Sequence, residues 1–355
     1  MQHKGMTTLK AIVIILCSLD VSVGGCDNSV SQAAKRVEAD QGVGTSDTSN
    51  SKLGSNAAAG HASTEVYSAP PAHSGEVINS RELAYLPPPG VTSNLALVDV
   101  FRVDDGQRRP LVLLVHGGSW VSGDKAGFEM RIVPWWLKLW FVAAPVNFRL
   151  ASRINQPLSV APRDQAGDVA AALAWLISQA DTYKIDREKI VILGYSSGAH
   201  LVALLATDEN ILREAGVDET HVKGVISFDV HAYDVPYALK LMVGSKVEQN
   251  MRLIRHLFGN TKEEQLNGSP IHFVDKWASK SLIVSVGADI ETPGTHGYIV
   301  SMAAKRYSEA LSAAGHDVEI FHDSKESHES LVRGFGMPDD PVTRVVECFI
   351  HSLDL

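Results

Sequence analysis

The stretch that most constrains this chain is Leu193-Gly194-Tyr195-Ser196-Ser197-Gly198-Ala199-His200. The apolar run Lys189-Ile190-Val191-Ile192-Leu193 leads into it and the helix-like Leu201 to Ala206 leads out, so it reads as strand, sharp turn, helix. A serine at Gly-x-Ser-x-Gly spacing in that setting is a nucleophile elbow, a turn that lifts a hydroxyl above the end of a sheet. A side chain at Gly194 or Gly198 would collide with the neighbouring backbone, which is why both positions call for glycine.

The rest of the chain agrees with a sheet covered by helices. From about Glu76 the apolar segments alternate between strand-like and helix-like periods. Leu95 to Val103, Pro110 to Val115, Phe141 to Asn147, the elbow strand, Val222 to Phe228, Ser281 to Val286 and Val318 to His322 read as strands, and Asp164 to Gln179 as an alanine-rich amphipathic helix. Runs as continuously apolar as Pro110-Leu111-Val112-Leu113-Leu114-Val115 belong to strands covered on both faces. The alternation predicts an α/β domain over residues 76–355: a doubly wound, mostly parallel sheet of about eight strands, with ligand chemistry at the carboxyl ends. The 355 residues, 45% hydrophobic and 21% charged, suffice for a large core. A net charge of −9 argues against nucleic acid or an anionic membrane surface as partner.

The N-terminus is composed differently. Lys4 and Lys10 precede the apolar run Ala11 to Cys17, and small residues follow, so residues 1–25 read as a secretory signal. Asp20 and the modest apolar length argue against a permanent membrane span, which needs about 20 apolar residues. Val23-Gly24-Gly25-Cys26 resembles the lipobox of bacterial lipoproteins, in which the cysteine is acylated. The expectation is therefore an exported protein of the cell envelope or periplasm, anchored by lipid at Cys26, with simple secretion as the alternative. Residues 26–75, rich in Ser, Ala, Gly, Thr and Asp, bury too little to order and read as a disordered tether. Cys17 would leave with the signal and Cys26 would carry lipid, so Cys348 is expected to stand alone as a core residue.

After the second strand comes His116-Gly117-Gly118-Ser119-Trp120, followed by Ser122-Gly123-Asp124-Lys125. Glycines there let backbone N–H groups turn toward a substrate carbonyl, so Gly118 and Ser119, with the N–H of Ser197, form the candidate oxyanion hole. His116 is expected to brace the loop and Trp120 to pack.

These blocks, with Pro145-Val146-Asn147-Phe148-Arg149-Leu150, resemble the α/β-hydrolase esterases. The similar branch is the one with His-Gly-Gly-x-Trp loops, which includes feruloyl-esterase-like carboxylesterases, kynurenine formamidases and, more distantly, hormone-sensitive-lipase-like enzymes. The similarity runs from about Val98 to the C-terminus. Ser119 replaces a third glycine common in relatives and Ser197 a commoner alanine, and at both positions only the main-chain N–H is required. The resemblance implies an α/β-hydrolase fold and a serine hydrolase whose Ser196 needs a histidine and a carboxylate, in the order Ser, Asp or Glu, His. Gly287-Ala288-Asp289-Ile290-Glu291-Thr292-Pro293 is similar to the family's acid-bearing segment, which makes Asp289 the expected acid, with Glu291 as its rival. His328, in a loop similar to the family's His-x-Ser-Leu, is the expected base, and His316 and His322 are expected to be surface or packing residues.

The expected reaction is hydrolysis of small to medium carboxylic esters through an acyl-enzyme. An arylformamidase, amidase or peptidase using the same triad is the alternative, and a catalytically silent binding protein the more remote one. No His-Glu-x-x-His or paired-cysteine spacing occurs, so neither metal nor organic cofactor is implied. The insertion from Asp229 to Val274 reads equally as a small lid or as a helix pair packed on the sheet.

Overall fold

The computed structural model describes residues 13–16, 75–85, 95–245, 247–274 and 279–355. Its strands are β1 (Val13–Leu16), β2 (Val77–Ala84), β3 (Leu97–Val103), β4 (Arg109–Val115), β5 (Val142–Val146), β6 (Ile185–Tyr195), β7 (Val222–Phe228), β8 (Lys280–Val286) and β9 (Val318–Asp323). They form one sheet of order β1-β9-β8-β7-β6-β4-β5-β3-β2. Every pair from β1 to β5 is parallel, and β3 and β2 close the far side antiparallel. The principal helices are α1 (Ile132–Lys138), α2 (Pro162–Ser178), α3 (Ser197–Thr207), α4 (Val235–Met242), α5 (Met251–Phe258), α6 (His296–Ala313), α7 (His328–Gly334) and α8 (Pro341–His351).

The central strands are apolar throughout because both faces are covered. On β4, Leu111, Leu113 and Val115 pack into one cluster with α2 and α3, while Val112 and Leu114 pack into the other with α1 and α8. On β6, Ile190 and Ile192 face the first cluster and Val191 and Leu193 the second. These side chains are withdrawn from water, each burial stabilising the fold by about 1.5–3 kcal/mol.

Two strands were not named from sequence. β2 is an edge strand, half-exposed and polar, with a bulge between Ser80 and Leu83. The bulge turns Glu82 to φ 55° and lets its N–H reach the buried Asp99 carboxylate at 2.7 Å. β1 lies inside the run read as a signal and runs parallel to β9, capping an edge that exposes unpaired backbone groups. Apart from β1 and Gly75, the signal, tether and Cys26 readings fall outside the described residues. Among the described residues no helix is long and apolar enough to cross a membrane.

Cys348 departs from expectation: it is half-buried on α8 and disulfide-bonded, not a lone core thiol. The only other cysteines in the chain are Cys17 and Cys26.

From Asp229 to Val274 the chain forms α4, α5, a short helix Lys262–Asn267 and 3-10 turns at Glu248–Asn250 and Pro270–Phe273. The apolar faces of α4 and α5, including Leu239, Met242, Ile254 and Phe258, join the core cluster of α2 and α3.

Candidate active site

The chain lays down β4, crosses to β5, and returns over β4 to lay down β6, so successive connections leave the sheet in opposite directions at β4 and β6. In doubly wound sheets ligands bind at such a switch. Pairing of Val115 with Gly194 and of Tyr195 with Phe228 brings the carboxyl ends of β4, β6 and β7 side by side. The functional side chains stand on the loops that leave these ends.

Ser196 follows β6 and is held at φ 54°, ψ −122°, a costly conformation for a residue with a side chain. Its N–H donates to the Phe228 carbonyl at 2.8 Å, and α3 begins at the next residue. Gly198 makes the turn possible, since a Cβ there would lie 2.1 Å from the Val115 carbonyl oxygen. The same closeness presses the loop after β4 against the elbow. Ser197 opens α3, and its N–H belongs to the first helical turn, which has no intrahelical acceptor.

His328, the first residue of α7, reaches back over the sheet to the elbow. Its Nε2 lies 3.0 Å from Ser196 Oγ and its Nδ1 lies 2.6 Å from Asp229 Oδ2. The Tyr195 ring stacks on the imidazole at 4.9 Å, and the Tyr195 hydroxyl donates to the His328 carbonyl at 2.7 Å. The residue that precedes the nucleophile therefore sets the ring plane of His328 and holds its backbone.

Asp229 is the first residue beyond β7, held at φ 54° and fully buried. Its Oδ1 accepts the Val286 N–H at 2.9 Å, and its Oδ2 faces both His328 and His296, the latter with Nε2 at 2.8 Å. Burial alone would raise this carboxyl, but the hydrogen bonds and charge of His296 and His328 outweigh it and hold the pKa at about 2. For His296, burial disfavours the cation, and Asp229 with Glu329 more than offsets that, so its pKa is raised.

This geometry corrects the expectation for the acid. Asp289 does not meet His328: its Oδ1 accepts the N–H groups of Thr292 at 2.8 Å and Glu291 at 3.1 Å, closing a turn within its own loop. Those hydrogen bonds, Thr292 first, hold its pKa below the usual value. The rival Glu291 is exposed in the same loop. The physical reason is local: the Asp289 carboxylate is turned into its own loop by the Thr292 and Glu291 N–H groups, whereas the Val286 N–H holds Asp229 Oδ1 and leaves Oδ2 facing the imidazole that arrives from the end of β9. Ser196 and His328 are brought together as expected, and the carboxylate joining them is Asp229. The signal for Asp229 is an aspartate at the end of the strand after the elbow strand, at the start of the insertion. His296 carried no sequence signal.

Gly118 and Ser119 lie in the loop beside Ser196, with Gly118 at φ 129°, Ser119 at φ 54° and Trp120 at φ 64°. A Cβ at Gly118 would lie 2.0 Å from the Ser122 carbonyl, and the Gly118 carbonyl itself accepts the Ser122 N–H at 3.0 Å and hydroxyl at 2.8 Å. The loop is anchored from below. Lys125 is buried with its ammonium 3.0 Å from Asp99 and bonded to Glu82, while its backbone N–H donates to Asn147 Oδ1 at 2.6 Å. Asn147 in turn donates to Asp124 at 2.9 Å and accepts the Tyr85 hydroxyl on its carbonyl at 2.7 Å. His116 stacks on Phe148 at 4.4 Å, with Nδ1 2.7 Å from the Gly117 carbonyl, and burial lowers its pKa. Trp120 donates to His200 Nδ1 at 3.2 Å, and His200 Nε2–H donates to the Gly268 carbonyl at 2.7 Å. Burial keeps His200 neutral, with a pKa of about 4. Phe258 of α5 packs edge-on to both rings and lines a cavity of about 440 Å³ shared with Pro162, Arg163 and Arg255.

The BD-FAE family model matches residues 98–301, more than half of the chain. Among curated proteins the chain is similar to the Mycobacterium tuberculosis esterase LipQ, 30% identical over 125 residues, or 34% of this chain and 28% of that protein. It is equally similar to the probable carboxylic ester hydrolase LipM of that organism, 30% identical over 122 residues, or 34% and 27%. The chain thus spans just over a quarter of the length of these relatives. Among solved structures, esterase B from Lactobacillus rhamnosis superposes with a TM-score of 0.60 at 14% identity, covering 78% of this chain and 84% of that one. A butyrate-bound esterase from Thermogutta terrifontis superposes at 0.54 with 22% identity, covering 78% and 91%. At these identities the superpositions speak for the α/β fold.

Proposed function

The chain belongs to the BD-FAE family, and from that premise we propose that it is a serine hydrolase of small to medium carboxylic esters. The observation that carries the reading is the unbroken relay from Ser196 Oγ through His328 to Asp229, with gaps of 3.0 Å and 2.6 Å. Ser196 attacks the ester carbonyl as His328 Nε2 takes its proton, and Asp229 holds the imidazolium that forms. The backbone N–H groups of Gly118, Ser119 and Ser197 receive the oxyanion, each worth about 3 kcal/mol of transition-state stabilisation. His328 returns the proton to the leaving alcohol, and water releases the acid by the same route. The esterase names of the relatives support esters as the substrate class.

Purified protein assayed on p-nitrophenyl butyrate beside N-formylkynurenine, with a fluorophosphonate probe to label Ser196, tests the reading. Ester turnover and labelling lost in Ser196→Ala are expected. Faster formamide turnover would assign the site to amides instead, and an unlabelled Ser196 would refute hydrolysis altogether.

Export rests on the Lys4 to Cys17 pattern and lipid attachment on Cys26, with residues 26–75 as the tether. Cleavage of such a signal would also remove β1 and leave β9 as the edge strand.

A further inference from the structure

The relay uses one face of Asp229 Oδ2, yet two imidazoles aim at that oxygen. His328 Nδ1 stands 2.6 Å from it and His296 Nε2 stands 2.8 Å from it, and these three donor atoms lie within 4.8 Å of one another. We propose that Asp229, His296 and His328 form an inhibitory site for a borderline transition-metal cation, of which Zn²⁺ is the type, and that its occupation switches the enzyme off. The proposal rests on the hydrolase reading above.

Two imidazoles and one carboxylate are a donor set suited to Zn²⁺, and hard cations such as Mg²⁺ prefer oxygen ligands and keep their water. Zinc bonds of about 2.0–2.2 Å at tetrahedral angles put donors about 3.3 Å apart, so from 2.6 Å and 2.8 Å the His328 and His296 rings have to withdraw by about 0.7 Å and about 0.5 Å. His296 can do so, because its side chain is 42% exposed and it opens α6 instead of lying within it. The His328 side chain is 30% exposed, which leaves room for water as the remaining ligand. The carboxylate does not need to swing, since the Val286 N–H on Oδ1 already keeps Oδ2 toward the rings.

Inhibition follows from proton placement. In the working state His328 carries its proton on Nδ1, donates it to Asp229, and keeps a lone pair on Nε2 for the Ser196 hydroxyl. The metal takes the Nδ1 lone pair, so the ring proton moves to Nε2, and likewise the His296 proton moves from Nε2 to Nδ1. Each ring that binds the ion is neutral, and any second proton it carried is released to solvent. Nε2 is then a donor toward Ser196 and cannot accept its proton, and the nucleophile is left unactivated.

The test is a Zn²⁺ titration of initial rates on p-nitrophenyl butyrate, each variant referred to its own chelator-treated rate, with Zn²⁺ binding measured in parallel by competition with a chromogenic chelator. Wild type is expected to be inhibited reversibly by Zn²⁺ and not by Mg²⁺ at the same concentration, with EDTA restoring the rate. His296→Gln should need at least about tenfold more Zn²⁺ for half-inhibition. His296→Cys, which returns a zinc-binding side chain, should recover sensitivity. Equal sensitivity of wild type and His296→Gln overturns the site, as does Mg²⁺ inhibiting as well as Zn²⁺. A protein with no ester turnover would sink the hydrolase reading separately, and the binding measurement would still decide whether His296 holds the ion.

Discussion

Replacing Asp229 by asparagine separates the relay seen in the structure from the one expected on sequence similarity. The buried carboxylate accepts from three groups, His328 at 2.6 Å, His296 at 2.8 Å and Val286 N–H at 2.9 Å. An amide has one acceptor oxygen, so its NH₂ must face at least one of these donors. An NH₂ toward His328 Nδ1 stabilises the tautomer whose proton sits on Nε2, which cannot take the Ser196 proton. The expected loss in kcat is about 10⁴-fold, or about 5.4 kcal/mol, the magnitude known for the same change in serine proteases. Asp289→Asn should change kcat by less than about threefold, because an amide oxygen can still accept the Thr292 and Glu291 N–H groups that occupy Asp289 Oδ1. Initial rates on p-nitrophenyl butyrate, with circular dichroism melts to exclude unfolding, give both numbers. The reasoning is refuted if folded Asp289→Asn loses activity by orders of magnitude while Asp229→Asn keeps it.

The same aspartate has a signature in acid. Its folded-state pKa of about 2 lies below its ordinary 3.8, so its stabilisation is fully present above about pH 4 and lost as pH falls toward 2, amounting to about 2 kcal/mol. Denaturant midpoints between pH 5 and 2 should fall less steeply in Asp229→Asn than in wild type, and parallel curves would contradict the assignment. Gly198→Ala would place a Cβ 2.1 Å from the Val115 carbonyl and 2.5 Å from that of His116, so soluble folded protein should be scarce, and any recovered should label poorly with fluorophosphonate. Lys125→Met leaves the buried Asp99 with only the more distant Arg81 guanidinium, at 3.9 Å, and should cost about 3 kcal/mol in urea unfolding, much of it regained in Lys125→Met/Asp99→Asn. A single-variant cost under about 1 kcal/mol would mean that the pair does not hold the loop after β4 in place.

The sequence by itself determined the parts of this protein whose causes are local. The turn at Gly194 to Gly198 announces itself because backbones approach there too closely for any other residue. The apolar runs of β4 to β9 declare a sheet covered on both faces, and His116 to Trp120 was legible because a backbone-lined hole needs glycine. His328 could be placed through its resemblance to a known loop. What only the tertiary structure decided is which carboxylate meets it. Asp229 and Asp289 both stand just past the carboxyl end of a strand, and nothing within either segment says which carboxylate turns toward the imidazole arriving from β9. The folded loops decide, since Asp289 is spent on the N–H groups of its own turn, while the Val286 N–H of the neighbouring strand holds Asp229 with one oxygen facing His328. β2 was missed for a related reason: an edge strand with one wet face lacks the apolar run that marks a central strand, and its bulge, which brings Glu82 to Asp99, is justified only by a partner 17 residues away. His296 is the extreme case, an exposed histidine whose meaning comes entirely from the carboxylate oxygen it shares with His328.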